Sequence, residues 1–429
     1  MSGVTTFPVT SALGLLWVVP FLGLLLSIAL LPSIASAHWL RRHGEWTLFW
    51  ALAFLVPAAM TRGAGAVATV LGQTALHEYV PFILLLAALY VVTGGIQIRG
   101  TPRTGAGLNT GLLAAGTVLA GVIGTLAASL LLVRPLIRIN RHRARRTHLF
   151  VFFIVLVSNV GGALSPSGNP PLLIGYLKGV PFLWPLEHLW LPTLVLSAGL
   201  LATFFILDHY LLRREPLFVR EMAKLGVGGV VNIPLLIGVV ATVIAAPEYV
   251  ADALYVVFAG LSLWLTPANA RRANDFAWGP IVEVAILFAG IFVTLIPAIG
   301  VIAAGPEGPA SPLFAALIVD GAPNDLLFYA ATGSLSAILD NAPTYLVFFD
   351  FAGGDAARLT GALTTTLAVI SAGAAYFGAL TYLGNAPNLV VKSLAEAHGV
   401  KMPSFFVFAG LAVLIAGPWY ALVALLFFR

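Results

Sequence analysis

The chain has 429 residues, of which 60% are hydrophobic and 9% charged, with a mean hydropathy of +0.99 and a formal net charge of +5. Soluble domains carry roughly 25% charged residues, so this composition excludes a soluble globular protein and indicates an all-α polytopic membrane protein. The absence of cysteine excludes disulfides, thiolate metal sites and a cysteine nucleophile, and the basic residues form short loop clusters that suit membrane orientation rather than nucleic-acid binding.

In chain order, the first apolar run, 11–37, has no basic residue before it and is long for a signal-peptide core. It is expected to be a retained helix, although "IASA" loosely resembles a cleavage site. Further charge-free runs follow at 47–61, 79–98, 104–133, 149–177, 188–207, 225–247, 253–270, 284–306, 326–339 with 341–349, 359–391 and 402–428. A crossing helix needs roughly 20 apolar residues; 47–61 reaches that length if Glu45 and Arg62 snorkel. Two runs do not read as plain spans: 104–133 is long and Gly-rich, and "DNAPT" interrupts the other at Asp340. With both as re-entrant hairpins and the N-terminus outside, 17 of the 22 Lys and Arg fall in cytoplasmic loops, against 14 if both cross. The expectation is ten crossings and two hairpins.

The chain also resembles itself. "SPSGNPPLLIG" (165–175) matches "TYLGNAPNLVV" (381–391) at an offset of 216 (384 − 168), and "GTLAASLLLVRP" (124–135) matches "GSLSAILDNAP" (333–343) at 209 (333 − 124). Two repeats follow: 1–214, with a hairpin at 104–140 and a broken helix at 149–177, and 215–429, with a hairpin at 324–350 and a broken helix at 359–391. Each holds five crossings, an odd number, so the second must lie inverted, as in secondary transporters.

Irregular backbone at mid-bilayer is tolerated only against protein or a wet cavity. "SNVGGALSPSGNPP" cannot stay helical through its prolines and glycines, and its unwound centre offers Ser158, Asn159, Ser165, Ser167 and Asn169. "TYLGNAPN" offers Thr381, Asn385 and Asn388 in the same way. Such oxygen-rich breaks suit hard cations; the plainer reading is that the kinks only allow close packing. Asp340 is the central feature. An acid at the bilayer centre costs roughly 2.5–3.5 kcal/mol on insertion scales. It can exchange a proton or bind a cation, because burial and a nearby cation push a carboxyl's proton affinity in opposite directions. Asn341 and Thr344 would complete its shell. The plainer reading pairs it with Arg134, placed at the other hairpin's tip. Asp208 and Asp350 are expected to reach water, Asp320 and Asp325 to flank the second hairpin, the histidines to be interfacial, and "RINRHRARRTH" to anchor at anionic lipid. Glu283 is open between interface and bundle interior.

In "SNVGGALSPSGNPPLLIGYLKGVPF", "LDNAPTYLVFF" and "TYLGNAPNLVVKSLAEAHGVKMPSFF", with weaker support from "LLLVRPLIRINR", the chain resembles the ion transporter superfamily. It is similar to NhaD-type sodium/proton antiporters and to related bacterial proteins labelled as citrate transporters. The resemblance implies inverted repeats, elevator-like or rocking movement, and exchange of Na⁺ (or Li⁺) for H⁺ as transported substrates with no cofactor. It also implies a homodimer in the cell inner membrane. Ser158, Asn159, Asp340, Asn341, Thr344, Asn385 and Asn388 would line the site, with Asp340, Asn159 and Asn385 as ligands of the cation. One departure is Asn169 in "GNPP" where an acidic "GDPP" is expected, which leaves a carboxylate substrate such as citrate open, with Arg134 as its anion ligand. An enzyme finds no support, since GxSxG, HExxH and P-loop motifs are absent. A channel fits pseudo-symmetric breaks around a lone acid less well than alternating access does.

Overall fold

The computed structural model describes residues 12–34, 36–101, 105–215, 223–274, 276–304, 307–309, 311–319 and 322–429; Asp320 lies outside them. After a 3-10 turn, Ala12–Val18, come α1 (Val19–Ile34), α2 (Ser36–Arg62) and α3 (Ala64–Thr74). A π-turn at Ala75–Tyr79 leads into α4 (Val80–Gly95) and strand β1 (Gln97–Thr101). Then follow α5 (Ala106–Ile123), α6 (Thr125–Ile139), α7 (Thr147–Leu156), α8 (Pro170–Leu177), α9 (Trp184–Leu212) and strand β2 (Ala223–Gly228). The second half holds α10 (Asn232–Ala245), α11 (Glu248–Leu265), α12 (Ala268–Ala273), α13 (Gly279–Ala303), α14 (Ser311–Leu317), and a two-residue ribbon, β3 (Ile318–Val319) and β4 (Ala322–Pro323). It ends with α15 (Asp325–Leu339), α16 (Asn341–Phe351), α17 (Ala356–Thr360), α18 (Thr364–Phe377), α19 (Ala386–Ala397) and α20 (Phe405–Phe427).

The protein is thus an all-α polytopic membrane protein. Among the described residues, seven helical stretches are long and apolar enough to cross a bilayer, and shorter apolar helices accompany them. Two groups of helices meet along a seam where α4 packs on α6 and α13 on α19. A panel joins α1–α4 to α10, α11 and α13, and a core joins α5–α9 to α15, α16 and α18–α20. The panel is closed by aromatic and hydroxyl contacts: Phe82 lies 4.8 Å from Phe288, Tyr79 Oη donates to the Ala285 carbonyl (3.1 Å), and Tyr90 Oη to that of Ala277 (2.6 Å). β1 and β2 pair antiparallel (Gln97 with Gly228, Ile98 with Val227, Arg99 with Gly226).

Helical hairpins α5–α6 and α15–α16 fall in the two runs read as re-entrant, and helix is interrupted between α7 and α8 and between α18 and α19. Each hairpin reverses through one residue, which ends the first helix and begins the second: Gly124 (φ 93°, ψ 147°) and Asp340 (φ 92°, ψ 148°). Their separation of 216 residues (340 − 124) equals that of the two Gly-Asn turns, so the hairpin offset of 209 is corrected to 216. The correction moves Arg134 off the tip. It sits ten residues beyond Gly124 (134 − 124), roughly 15 Å along α6, and packs over the Tyr90 ring on α4 at 4.9 Å.

Two further expectations change. Residues 64–78, which fall between the expected spans 47–61 and 79–98, are helical, so Ala64–Gly95 is one 32-residue apolar stretch. Asp208 does not reach water; it is fully buried, as is Asn140 of "RINRHRARRTH". One carboxylate oxygen of Asp208 accepts from Arg143 (2.5 Å) and lies 2.8 Å from His148 Nε2, and the other accepts from Asn109 (2.9 Å). Asn109 and Asn140 bond each other across the hairpin arms (2.9 and 3.1 Å). This basic segment therefore clamps the base of the first hairpin to α9, and His148 belongs to the clamp rather than to the interface. Asp350, as expected, stays exposed, paired with Lys178 at 3.0 Å.

Removing one partner of a buried ion pair typically costs 3–5 kcal/mol. Arg143→Met is expected to destabilise the detergent-solubilised protein by about that much, and Arg143→Met/Asp208→Asn to recover part of it. Thermal unfolding of both variants checks this; equal stability of Arg143→Met and the parent would contradict the clamp.

Candidate functional site

Each broken helix unwinds for a local reason. α7 ends before Ser158-Asn159-Val-Gly-Gly, where side chains compete for backbone bonds and glycines add no helical preference. Helix resumes with Pro170 and Pro171 at the start of α8, and with Pro387 near the start of α19, positions where a missing N–H is harmless. Asn169 and Asn385 precede these half-helices in extended conformation, and neither side chain caps its own helix. Both amides are thus free for other partners.

The breaks are sewn to the hairpins in the same way in both halves. Ser165 Oγ donates to the Gly121 carbonyl and Thr381 Oγ1 to that of Ala337, each at 2.5 Å and each just short of a tip. Donors and acceptors are both 216 apart (381 − 165, 337 − 121). The same hydroxyls accept from Gly168 N (3.0 Å) and Gly384 N (3.1 Å). Within each break a glycine pair meets backbone to backbone, Gly162 with Gly168 and Gly378 with Gly384. A Cβ on Gly384 would stand 2.7 Å from the Gly378 carbonyl oxygen and 2.8 Å from that of Ser336.

The breaks meet each other through amides. Asn159 Nδ2 donates to Asn388 Oδ1 (2.8 Å) and to the Ile154 carbonyl (2.8 Å). Asn385 Nδ2 donates to the Ser158 carbonyl (2.8 Å) and to Asn159 Oδ1 (3.2 Å). Asn388 Nδ2 donates to the Gly378 and Thr381 carbonyls (both 2.8 Å), and Ser158 Oγ pairs with Ser129 Oγ (2.8 Å). All four residues are buried. This lattice uses most of its own polar atoms, though Asn385 spends only its amide nitrogen and keeps its carbonyl oxygen available.

The second tip is different. Asn341 Nδ2 donates to Asn169 Oδ1 (2.7 Å), which joins the second hairpin to the first break. That leaves Asn341 Oδ1, an acceptor, and Asn169 Nδ2, a donor, buried without partners. Buried polar atoms are normally satisfied, so these two are candidate contacts for a ligand. Thr344 spends its hydroxyl on the Asp340 carbonyl (2.8 Å), so its hydrogen is not available to a ligand.

Asp340 is the only non-glycine at positive φ among the described residues. Its φ/ψ region is essentially reserved for glycine, and occupying it costs of order 1–3 kcal/mol. One carboxylate oxygen accepts from Asn341 N at 2.9 Å, which helps begin α16. That role alone does not require the side chain, since Gly124 makes the same reversal without one. Asp340 lines a cavity of about 50 Å³ whose other walls, with one exception, are apolar, including Phe21, Leu25, Phe288 and Phe292. The exception is Glu78, in the π-turn before α4. Charge-run reading missed it by leaving 62–78 between two spans; the signal available was the apolar sequence on both sides of it.

A second cavity, of about 240 Å³, lies between α13 and α19 and is lined by Glu283, Lys392, Ser393 and Glu396. Glu283 therefore faces the interior: it accepts from Ser393 Oγ at 2.9 Å across the seam between panel and core. Consecutive residues of the second break divide the cavities, Tyr382 lining the larger and Leu383 the smaller. Tyr382 stacks on Phe408 at 4.0 Å and donates to the Pro403 carbonyl (2.9 Å). The structure thus brings Ser158, Asn159, Asn385 and Asn388 together, and separately Asp340, Asn341 and Asn169; Ser165 and Thr381 hold the frame. Arg134 keeps company with Tyr90 instead of Asp340, its Nε and one terminal nitrogen without hydrogen-bond partners.

A family model described as "Putative citrate transport" matches residues 10–428. The chain belongs to that family. It is a multi-pass membrane transporter of the secondary type, which bears out the transporter expectation at the level of the family. A comparison with curated proteins gives no match.

If the transporter depends on this backbone crossing, Gly384→Ala should overpack it, at a cost of about 1–3 kcal/mol, and should lower transport. Gly410→Ala, where a Cβ meets nothing within 4 Å, is the control and should change neither. Parallel melting curves and uptake assays decide; equal behaviour of the two variants would remove the close approach as a requirement.

Proposed function

We propose that this transporter exchanges a monovalent cation, Na⁺ or Li⁺, for protons at Asp340. One observation carries the reading: a carboxylate occupies a glycine-only conformation at a hairpin tip, where the equivalent tip of the other half uses glycine. A residue kept at that backbone cost, and at the cost of an acid among apolar walls, is kept for its side chain. Asn341 Oδ1 and Asn385 Oδ1 supply neutral oxygens of the kind a hard cation takes. The ends of α7 and α18 direct partial negative charge toward the breaks.

In this reading the halves are inverted repeats, the core moves against the panel, and the larger cavity is the cytoplasmic vestibule that reaches Asp340 past Tyr382 and Leu383. Protonated Asp340 is neutral, and so is the cation-bound form. The bare carboxylate is the species that costs most to move through an apolar seam. Either occupant lets the carrier return, and this couples the two flows.

A second reading, coupled transport of citrate or a similar carboxylate, is favoured by the family description and by Asn169 Nδ2. That buried donor stands at the positive end of α8, as an anion requires.

In proteoliposomes with a trapped pH dye, Na⁺ or Li⁺ should drive proton movement in the parent protein, and Asp340→Asn should abolish it. Asp340→Gly should also abolish it while raising thermal stability by about 1–3 kcal/mol, the strain removed. Undiminished exchange in Asp340→Asn would sink the proposal. Ion-dependent uptake of labelled citrate, with no cation–proton exchange in its absence, would move the assignment to the second reading.

A further inference from the structure

We propose that Glu78 is a second ion-coupling carboxylate, held on the panel opposite Asp340, and that it adds a second proton to each exchange cycle. The inference rests on the cation–proton reading above and extends it to stoichiometry.

Its position comes first. Glu78 is the fifteenth residue of the 32-residue apolar stretch Ala64–Gly95, roughly 21 Å from its start and so near its middle. An acid at that depth is expected to face a cavity or a partner rather than lipid. The charged group that acts on its carboxylate is its chain neighbour His77. The side chain is exposed, and it also lines the cavity of about 50 Å³ that Asp340 lines, where no other wall residue is charged.

The local backbone makes this placement specific. Ala75–Tyr79 is a π-turn, which inserts an extra residue into a helical turn and swings the following side chains by about 100° relative to a continuous α-helix. Tyr79 Oη then fixes the turn to the Ala285 carbonyl on α13. The turn and its anchor aim Glu78 toward the second tip. On that tip Asn341 keeps a buried, unpartnered acceptor oxygen beside Asp340. The space is large enough for a cation with a water or two.

Two carboxylates facing one apolar cavity repel each other strongly when both are bare. Loaded with protons, the pair is neutral; loaded with one monovalent cation and no proton, it keeps one negative charge. Exchange of these states breaks two carboxyl O–H bonds and releases two protons to water on one side. One cation is bound in their place, and the reverse occurs on the other side. No other bond changes, and one net charge crosses per cycle.

The test uses the full-length protein in proteoliposomes, with pH-dye and voltage-dye readouts under Na⁺ gradients, and valinomycin with K⁺ to set the membrane potential. The parent should exchange about two protons per Na⁺ and respond to the imposed potential. Glu78→Gln should still exchange, at about one proton per Na⁺, and lose the voltage response; Glu78→Asp should restore both. An unchanged ratio in Glu78→Gln, or a parent ratio of one, overturns the role of Glu78 while leaving Asp340 as the exchange site. Loss of all exchange in both variants, with melting curves matching the parent, overturns it in favour of a structural role. A parent that moves no protons against Na⁺ overturns the cation–proton reading itself, and this inference with it.

Discussion

A hydroxyl-to-carbonyl hydrogen bond, made once in each half, holds the centre of this molecule. Ser165 and Thr381 each bind a carbonyl one turn before a hairpin tip, and each also receives the N–H of the glycine that follows in its own break. Unwound chain in a bilayer core persists only if its backbone groups find partners inside the protein. With those partners supplied locally, the remaining amides are released for other work. Asn159, Asn385 and Asn388 lock break to break, and Asn169 and Asn341 reach between halves.

On this matched frame the functional asymmetry is small in atoms and large in consequence. Gly124 and Asp340 share their dihedral angles to within a degree. One tip has no side chain and is unstrained; the other carries a carboxyl group at a backbone cost. The first half contributes Ser158 and Asn159 to the crossing, where the second half has Ala374 and Ala375 at the 216-residue offset. The first half thus adds Ser158 and Asn159 to the crossing, and the second adds Asn385 and Asn388 there and the carboxyl group at its tip.

Much of this was legible in the chain. The two Gly-Asn turns, the hairpin limits and the broken helices follow from prolines, glycines and buried polar residues, whose effects are local. What was not legible depended on partners distant in sequence or on helical register. Asp208 looked like a residue at a solvated helix end. It is buried because Arg143 and His148, 65 and 60 residues away, pair with it. Arg134 was placed at a tip because matching Gly124 to Gly333 gave an offset seven residues short. Nothing in composition distinguishes that register from the true one. Glu78 was lost because a single acid was allowed to end a span, when a π-turn carries the helix through it.

The small ribbon of β1 and β2 has a mechanical consequence. β1 carries the chain from the panel helix α4 toward the first hairpin, and β2 carries it from α9 back to the panel helix α10. The outgoing and returning tethers of the first half are therefore bound side by side, by ladder bonds that resist sliding but permit the ribbon to flex as a strap. The core is tied to the panel at this strap, and again through the connection from α13 to α15. In the proposed exchange cycle, travel of the core past the panel would be limited at this strap to a few residues of extended chain, roughly 3.3 Å each.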